Sequence, residues 1–165
     1  MRLGVALALA VAAAAASGAS AAPPRAHVTV GCKEIYVGNP PSAALNGRDD
    51  LMLATISLTR LARLAGVSRS RPIRVASFAS SDGQGAVTIA ARGPGAVTFA
   101  FGQHAVAART VTFLPCTGEI AGTPIGSMWK GTVTFARQGC YTLAADGGGA
   151  VARRTVPVGV AKRCD

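Results

Sequence analysis

Apolar and polar residues alternate with a period of two over much of the chain that follows residue 24. Five runs carry this pattern, at 27–30, 86–89, 96–101, 110–113 and 132–135. They are rich in Val, Thr, Ile and Phe, which pleated strands favour, and a period of two places neighbouring side chains on opposite faces of a sheet. Each run therefore predicts a β-strand with one buried face.

Turn-forming residues separate these runs. They are Ser-Asp-Gly at 81–83, Arg-Gly-Pro-Gly at 92–95, Arg-Gln-Gly at 137–139 and Asp-Gly-Gly-Gly at 146–149. Short strands with turn signals every ~8–12 residues are typical of all-β sandwiches and barrels. The pattern predicts an all-β fold, specifically an Ig-like antiparallel β-sandwich of about eight strands.

The segment 51–65 fits two structures. Asp49 or Asp50 would cap a helix that Gly66 ends, and its apolar residues would then form one stripe. Three consecutive large apolar residues at 51–53 instead suit a strand that is buried on both faces. We predict a strand over 51–58 followed by one short helical segment over 59–65, with a single helix as the alternative.

The first 21 residues have the order of a secretory signal peptide. Arg2 precedes an apolar stretch over 3–16, and Ala19-Ser20-Ala21 provides a small-residue cleavage site. An uncleaved membrane anchor is the competing interpretation, because the uncharged run reaches the ~20 residues that a spanning helix needs. Most of that run is Ala, which favours cleavage. We predict one secreted domain over 22–165, with no transmembrane segment in the mature chain.

Composition supports a single folded domain. The chain is 50% hydrophobic and 15% charged, which excludes intrinsic disorder. Its 165 residues are too few for a large multidomain enzyme. An even number of cysteines in an exported chain predicts two disulfides, and the four are Cys32, Cys116, Cys140 and Cys164. Four cysteines allow three pairings. We favour Cys116–Cys140, between two adjacent strand-like runs, and Cys32–Cys164, between the domain's first and last strands.

The C-terminal half contains an ordered set of motifs. Phe-Leu-Pro-Cys at 113–116 precedes Trp-Lys-Gly at 129–131, Gly-Cys-Tyr at 139–141 and a last strand-like run that ends at Cys164. With an early cysteine and Leu-Ala-Arg-Leu at 61–64, the order resembles small secreted four-cysteine proteins of unknown function from high-GC bacteria. The resemblance implies a disulfide-bridged β-sandwich and no particular chemistry.

Known catalytic and cofactor motifs are missing from the sequence. Gly126-Ser127-Met128 lacks the second glycine of a serine-hydrolase elbow, and His104 falls in an expected turn without a nearby nucleophile. The cysteine spacing does not suit zinc, and the glycine clusters do not match a phosphate loop. We therefore predict no catalytic, cofactor-binding or metal-ligating residue and no cofactor.

Positive charge is the unusual surface feature of this sequence. The formal net charge is +10, and five arginines cluster in one segment: Arg60, Arg63, Arg69, Arg71 and Arg74. Such a cluster attracts anionic envelope polymers or an anionic lipid surface, although a solubilising surface has the same composition. Nucleic-acid binding is disfavoured, because the Phe residues occupy core-facing positions rather than lying among the charges.

These observations favour a secreted, non-catalytic binding module with a basic face. Two other classes stay open. The first is a small secreted hydrolase or an enzyme inhibitor that acts through the glycine-rich loop 117–128. The second is a structural subunit whose strand edges pair with a partner.

Overall fold

A computed structural model of the chain describes residues 22–37, 51–53, 56–58, 73–81, 85–147, 149–160 and 164. These residues form twelve strands and no helix. The strands are β1 (Arg25–Val30), β2 (Glu34–Val37), β3 (Leu51–Leu53), β4 (Ile56–Leu58), β5 (Ile73–Ser81), β6 (Val87–Arg92), β7 (Val97–Phe101), β8 (Ala108–Phe113), β9 (Glu119–Ile120), β10 (Thr123–Phe135), β11 (Gly139–Gly147) and β12 (Ala150–Val158). The predicted all-β class is confirmed.

The strands form one curled sheet. Its hydrogen-bonded order is β12-β11-β6-β8-β7-β10-β5-β4-β3, with β1 added to β8, and with β2 and β9 added to β10. β1 runs parallel to β8, whereas the other described pairs are antiparallel. β12 lies next to β3. The two ends of the strand order therefore approach each other, and the sheet curls around its own apolar face.

That apolar face is the core, and the alternation in the sequence produces it. In β6, Val87 and Ile89 are fully buried while Thr88 and Ala90 between them are half-buried on the outer face. The buried aromatic residues Phe99, Phe101, Phe113, Trp129, Phe135 and Tyr141 also lie in this core. The outer face carries mainly Thr and Ala, and the Thr88 and Thr112 hydroxyl oxygens lie 2.7 Å apart across β6 and β8.

The segment 51–58 differs from its prediction. It forms two short strands, β3 and β4, which pair antiparallel with Leu51 opposite Leu58 and Leu53 opposite Ile56. Leu53, Ile56 and Leu58 are fully buried, which explains the apolar run without one continuous strand. The helical segment predicted at 59–65 lies outside the described residues.

The loop predicted at 117–128 is largely a β-hairpin. β9 and the start of β10 pair with Ile120 opposite Thr123. Ala121 and Gly122 connect them, and both have positive φ angles, of 50° and 74°. Positive φ at both central residues is what a two-residue hairpin turn requires. Extra strands of this kind raise the number of described strands above the eight that were predicted.

All four cysteines form disulfides, as predicted, but the preferred pairing was wrong. The bonds are Cys32–Cys116 and Cys140–Cys164. β1 is parallel to β8 with Val30 opposite Phe113, so both strands leave the sheet at the same end, just before Cys32 and Cys116. β11 begins opposite the end of β12, which leads to Cys164. The prediction treated β8 and β11 as neighbours, whereas β6 lies between them.

Candidate functional site

Strand register brings five arginines to one end of the sheet. β6 ends at Arg92, β8 begins one residue before Arg109, and Arg137 lies between β10 and β11. Arg25 is the first residue of β1 and Arg74 the second residue of β5, and both lie at the same end, since Arg25 is opposite Ala108 and Arg74 is opposite Thr134. All five side chains are exposed. We call this set (Arg25, Arg74, Arg92, Arg109 and Arg137) the arginine end.

A shallow cleft of about 370 Å³ opens at the arginine end. Arg92 and Arg109 line it, together with Gly93, Gly95 and Val97 of the turn that leads into β7. Gly93 packs so closely on the Tyr141 ring that an added Cβ would overlap it. An added Cβ on Gly95 would lie 3.0 Å from Cγ of Arg137. Residues without a Cβ therefore allow this turn to lie against Tyr141 and Arg137.

Tyr141 packs against this turn and holds the neighbouring Arg137 backbone. Its ring is fully buried against Phe135, with ring centroids 4.9 Å apart. Its hydroxyl donates a hydrogen bond of 2.8 Å to the Arg137 carbonyl oxygen. The backbone that carries Arg137 is thus attached to the core through a buried tyrosine, which limits how far this arginine can move.

The three acidic residues that the structure describes lie at the opposite end. Asp146 is opposite Thr88 and Glu34 is opposite Met128, while Glu119 belongs to the projecting hairpin. The six residues of β6 span roughly 17 Å between the two ends. This exceeds the Debye length of about 8 Å at physiological salt. Among the described residues, no acid therefore compensates the charge of the arginine end, and a bound anion would relieve that repulsion.

The cluster predicted from sequence is only partly described. Arg74 is exposed and belongs to the arginine end, whereas Arg60, Arg63, Arg69 and Arg71 lie outside the described residues. The other four arginines of the arginine end are scattered along the chain, and sequence reasoning missed them. Two of them carry a signal in the sequence, because Arg92 and Arg137 each open a predicted turn.

The two histidines and Ser127 differ in exposure. His27 and His104 are both exposed, and the His27 Nε2 atom lies 3.3 Å from the Thr29 hydroxyl oxygen. Ser127 is fully buried, and its hydroxyl oxygen accepts a 2.5 Å hydrogen bond from the Cys116 amide. The residues that the structure describes contain no group of three or more His, Cys, Asp or Glu that could hold a metal ion.

Neither the models of known protein families nor the curated proteins match this chain. The two disulfides indicate an extracellular or otherwise oxidising environment. Within the described ranges, no helix is long and apolar enough to cross a membrane.

Proposed function

We propose that this protein is a non-catalytic binding module whose arginine end holds an anionic polymer of the cell envelope. One observation carries the proposal: five exposed arginines share one end of the sheet, and the described acids lie at the other. Guanidinium groups present a planar fork of donors that matches phosphate and carboxylate oxygens in a bidentate manner.

A polymer suits this surface better than a single small anion. Four of the arginines belong to four different strands, and neighbouring strands of a sheet lie ~4.8 Å apart. Arg92 and Arg109 line one cleft, while Arg137 lies beside the same glycine turn. Successive charges along a polymer could each meet one of these guanidinium groups, so weak contacts would add together.

Secretion of the protein is a further part of the proposal. We infer that residues 1–21 are a secretory signal peptide and that 22–165 form the mature secreted domain, in keeping with two disulfides. We also propose that the curled sheet corresponds to a two-layer, Ig-like sandwich, which the approach of β12 to β3 supports. Kinship with secreted four-cysteine proteins of high-GC bacteria rests on motif order alone.

The test is binding of the oxidised 22–165 chain to isolated cell envelope at low and high salt. In the first variant, Arg92, Arg109 and Arg137 are each replaced by Gln. At about 1 kcal/mol for each arginine near an anionic surface, affinity should fall on the order of a hundredfold. Wild-type binding should also disappear near 1 M salt, where the Debye length shrinks to about 3 Å.

A matched control uses charge removed elsewhere. Lys33 and Lys130 are exposed at the opposite end of the sheet, and the K33Q/K130Q variant is compared with R92Q/R109Q. Both variants lose two charges, but only R92Q/R109Q should lose most of its binding to the envelope. Equal losses would mean that net charge alone attracts the polymer, and an absence of low-salt binding would refute the proposal. Anionic lipid vesicles form a parallel arm that separates a lipid surface from a polymer.

Enzyme inhibition is a second candidate, and the β9–β10 hairpin favours it. Ile120 is 45% exposed beside the hairpin turn, and the disulfide at Cys116 lies shortly before β9. Rigid exposed loops of this kind reach into enzyme clefts with little loss of entropy on binding. Inhibition of secreted hydrolases by the wild type, lost in Ile120→Asp, would support this candidate over polymer binding.

A further inference from the structure

The strand β12 stands at one end of the hydrogen-bonded order of the sheet. It pairs with β11 over nine residue pairs, and no other described strand pairs with it. β3 is in contact with β12 but forms no ladder with it. Val156 and Val158 are buried, whereas Val151 and residues 153–155 are exposed. We call the outward side of residues 151–155 the β12 edge.

The register of the β11–β12 hairpin shows which backbone groups face outward at the β12 edge. Gly147 lies opposite Ala150, so two residues connect the strands, and the residues that flank such a turn hydrogen-bond to each other. Bonded and non-bonded pairs alternate along antiparallel strands. The N–H and C=O groups of residues 152 and 154 therefore point to β11, and those of residues 151, 153 and 155 point outward.

Two observations agree with this assignment. The Arg154 guanidinium donates a 3.1 Å hydrogen bond to the Arg153 carbonyl oxygen, so a side chain takes the place that a neighbouring strand would have. Pro157 falls in the outward-facing series, where its missing N–H leaves no bond to β11 unmade. The outward groups of the β12 edge therefore have no described strand as their partner.

Positive charge lies on both faces of the sheet at the β12 edge. Arg154 is opposite the buried Leu143 and shares the core face with it, while Arg153 is opposite Ala144 on the outer face. Both arginines are exposed. Charged residues and proline at an edge discourage pairing between copies of a protein. Two β12 edges side by side would bring the arginines of both copies together, so a second copy is a poor partner.

We propose that the β12 edge binds an extended acidic segment of a partner protein, which joins the sheet as one more strand. In this mode of recognition, main-chain hydrogen bonds provide affinity and alternate side chains provide specificity. The partner's acids meet Arg153 on one face and Arg154 on the other, so they are consecutive in its sequence. An apolar side chain meets Val151, which is 52% exposed. An antiparallel partner strand then reads acid, acid, any residue, apolar.

The probe is the capped peptide Ser-Thr-Glu-Glu-Thr-Val-Thr-Ser, titrated calorimetrically into the oxidised 22–165 chain at physiological salt. It should bind saturably with one peptide per chain. A second peptide has Gln in place of both Glu residues. It should bind on the order of tenfold more weakly, because it keeps the backbone hydrogen bonds and loses both charge-assisted contacts.

Backbone methylation separates strand addition from simple attraction of charge. In the antiparallel arrangement, the amide of the second Glu bonds to Arg153, whereas the amide of the first Glu, opposite Arg154, points to solvent. N-methylation of the second Glu should therefore weaken binding at least tenfold, and N-methylation of the first should change it by no more than about threefold. Both methylated peptides keep the same charge, so equal affinities would overturn strand addition.

Amide hydrogen exchange provides a second readout. The peptide should slow exchange at Val151, Arg153 and Thr155, whose N–H groups face outward and gain partners. It should leave Ala152 and Arg154 unchanged, because their N–H groups already bond to β11. An alternating pattern supports a new strand, and a uniform change over 151–155 contradicts it.

Three variants complete the experiment. Arg153 and Arg154 are exposed, so R153Q/R154Q should fold normally and lose about tenfold in affinity for the acidic peptide. K33Q/K130Q loses the same charge elsewhere on the sheet and should bind the peptide like the wild type. R92Q/R109Q should also keep peptide binding while it loses polymer binding, so the two proposals can fail separately. The proposal is overturned if the acidic peptide does not bind, or if R153Q/R154Q binds it as tightly as K33Q/K130Q.

Discussion

The two ends of the sheet are built alike in the core and differently at the surface. At each end a buried aromatic ring packs on a phenylalanine and donates a hydrogen bond to a loop carbonyl: Tyr141 to Arg137, and Trp129 to Gly31. A disulfide cysteine is the chain neighbour of Tyr141 and of Gly31. The surface charges then diverge. Lysines are partnered at one end, whereas the arginines at the other face no described acid.

This difference indicates that the exposed charges are independent of the aromatic rings and disulfides that stabilise the fold. Similar aromatic and disulfide anchors hold both ends, so neither end needs its exposed charges for stability. Exposed ion pairs contribute only ~0–1 kcal/mol. No described acid compensates the charge of the arginine end, and this is the surface for which we propose an anionic ligand.

Removing the disulfides should lower the unfolding free energy the most, and by a different amount at each end of the sheet. The Cys32–Cys116 bond joins residues 84 apart, and the Cys140–Cys164 bond joins residues 24 apart. Loop entropy predicts losses in unfolding free energy of about 4.5 kcal/mol for C32A/C116A and about 3.5 kcal/mol for C140A/C164A. Urea denaturation measures both variants. A reversed order would show that native-state contacts, rather than loop length, determine the contribution of each bond.

Removing the hydrogen bonds from the two aromatic rings should have an intermediate effect. Tyr141→Phe deletes one hydrogen bond and should cost about 1 kcal/mol of unfolding free energy. Trp129→Phe deletes a bond and also leaves space in the core, so about 2 kcal/mol is expected. Thermal unfolding checks both values. Tyr141→Phe should also weaken envelope binding by loosening the Arg137 backbone, and Trp129→Phe should not; equal effects on binding would contradict a link between Tyr141 and the arginine end.

Neutralising single surface charges should give the smallest effect, with opposite signs at the two ends. Lys130→Gln breaks an ion pair whose side chains are 62% and 44% exposed, so unfolding free energy should fall by less than about 0.5 kcal/mol. Arg92→Gln relieves repulsion among arginines that face no described acid, and should raise the unfolding free energy by a few tenths of a kcal/mol. Urea unfolding at low ionic strength resolves the signs, and both differences should vanish at high salt. A loss of stability in Arg92→Gln would mean that this arginine has a stabilising partner.

The sequence predicted the strands better than their arrangement. Period-two runs such as 86–89 and 110–113 became β6 and β8 because alternation is a local property of the pleat. Strand order is not local. β6 lies between β8 and β11, and nothing in the sequence near Cys116 or Cys140 indicates this, so the preferred disulfide pairing was wrong.

The arginine end was unpredictable for the same reason. Arg25, Arg92, Arg109 and Arg137 are well separated in sequence. The register of β1, β6 and β8 brings the first three to one end, and the hydrogen bond from the Ala136 amide to the Ala96 carbonyl places Arg137 beside them. A run of nearby arginines is visible in a sequence, whereas a cluster assembled from strand ends is not. Arg74 was the one member that both approaches identified.

The parallel pairing of β1 with β8 has a consequence for the order in which the protein folds. β11 and β12 form a hairpin from adjacent sequence, whereas β1 must wait for a partner strand far along the chain. Closing a longer loop costs more entropy, and nonlocal pairing is slow. We therefore expect oxidative refolding to join Cys140 to Cys164 first and to leave Cys32 and Cys116 reduced the longest. These two thiols are then the most exposed to mispairing, and a disulfide isomerase would speed their pairing the most.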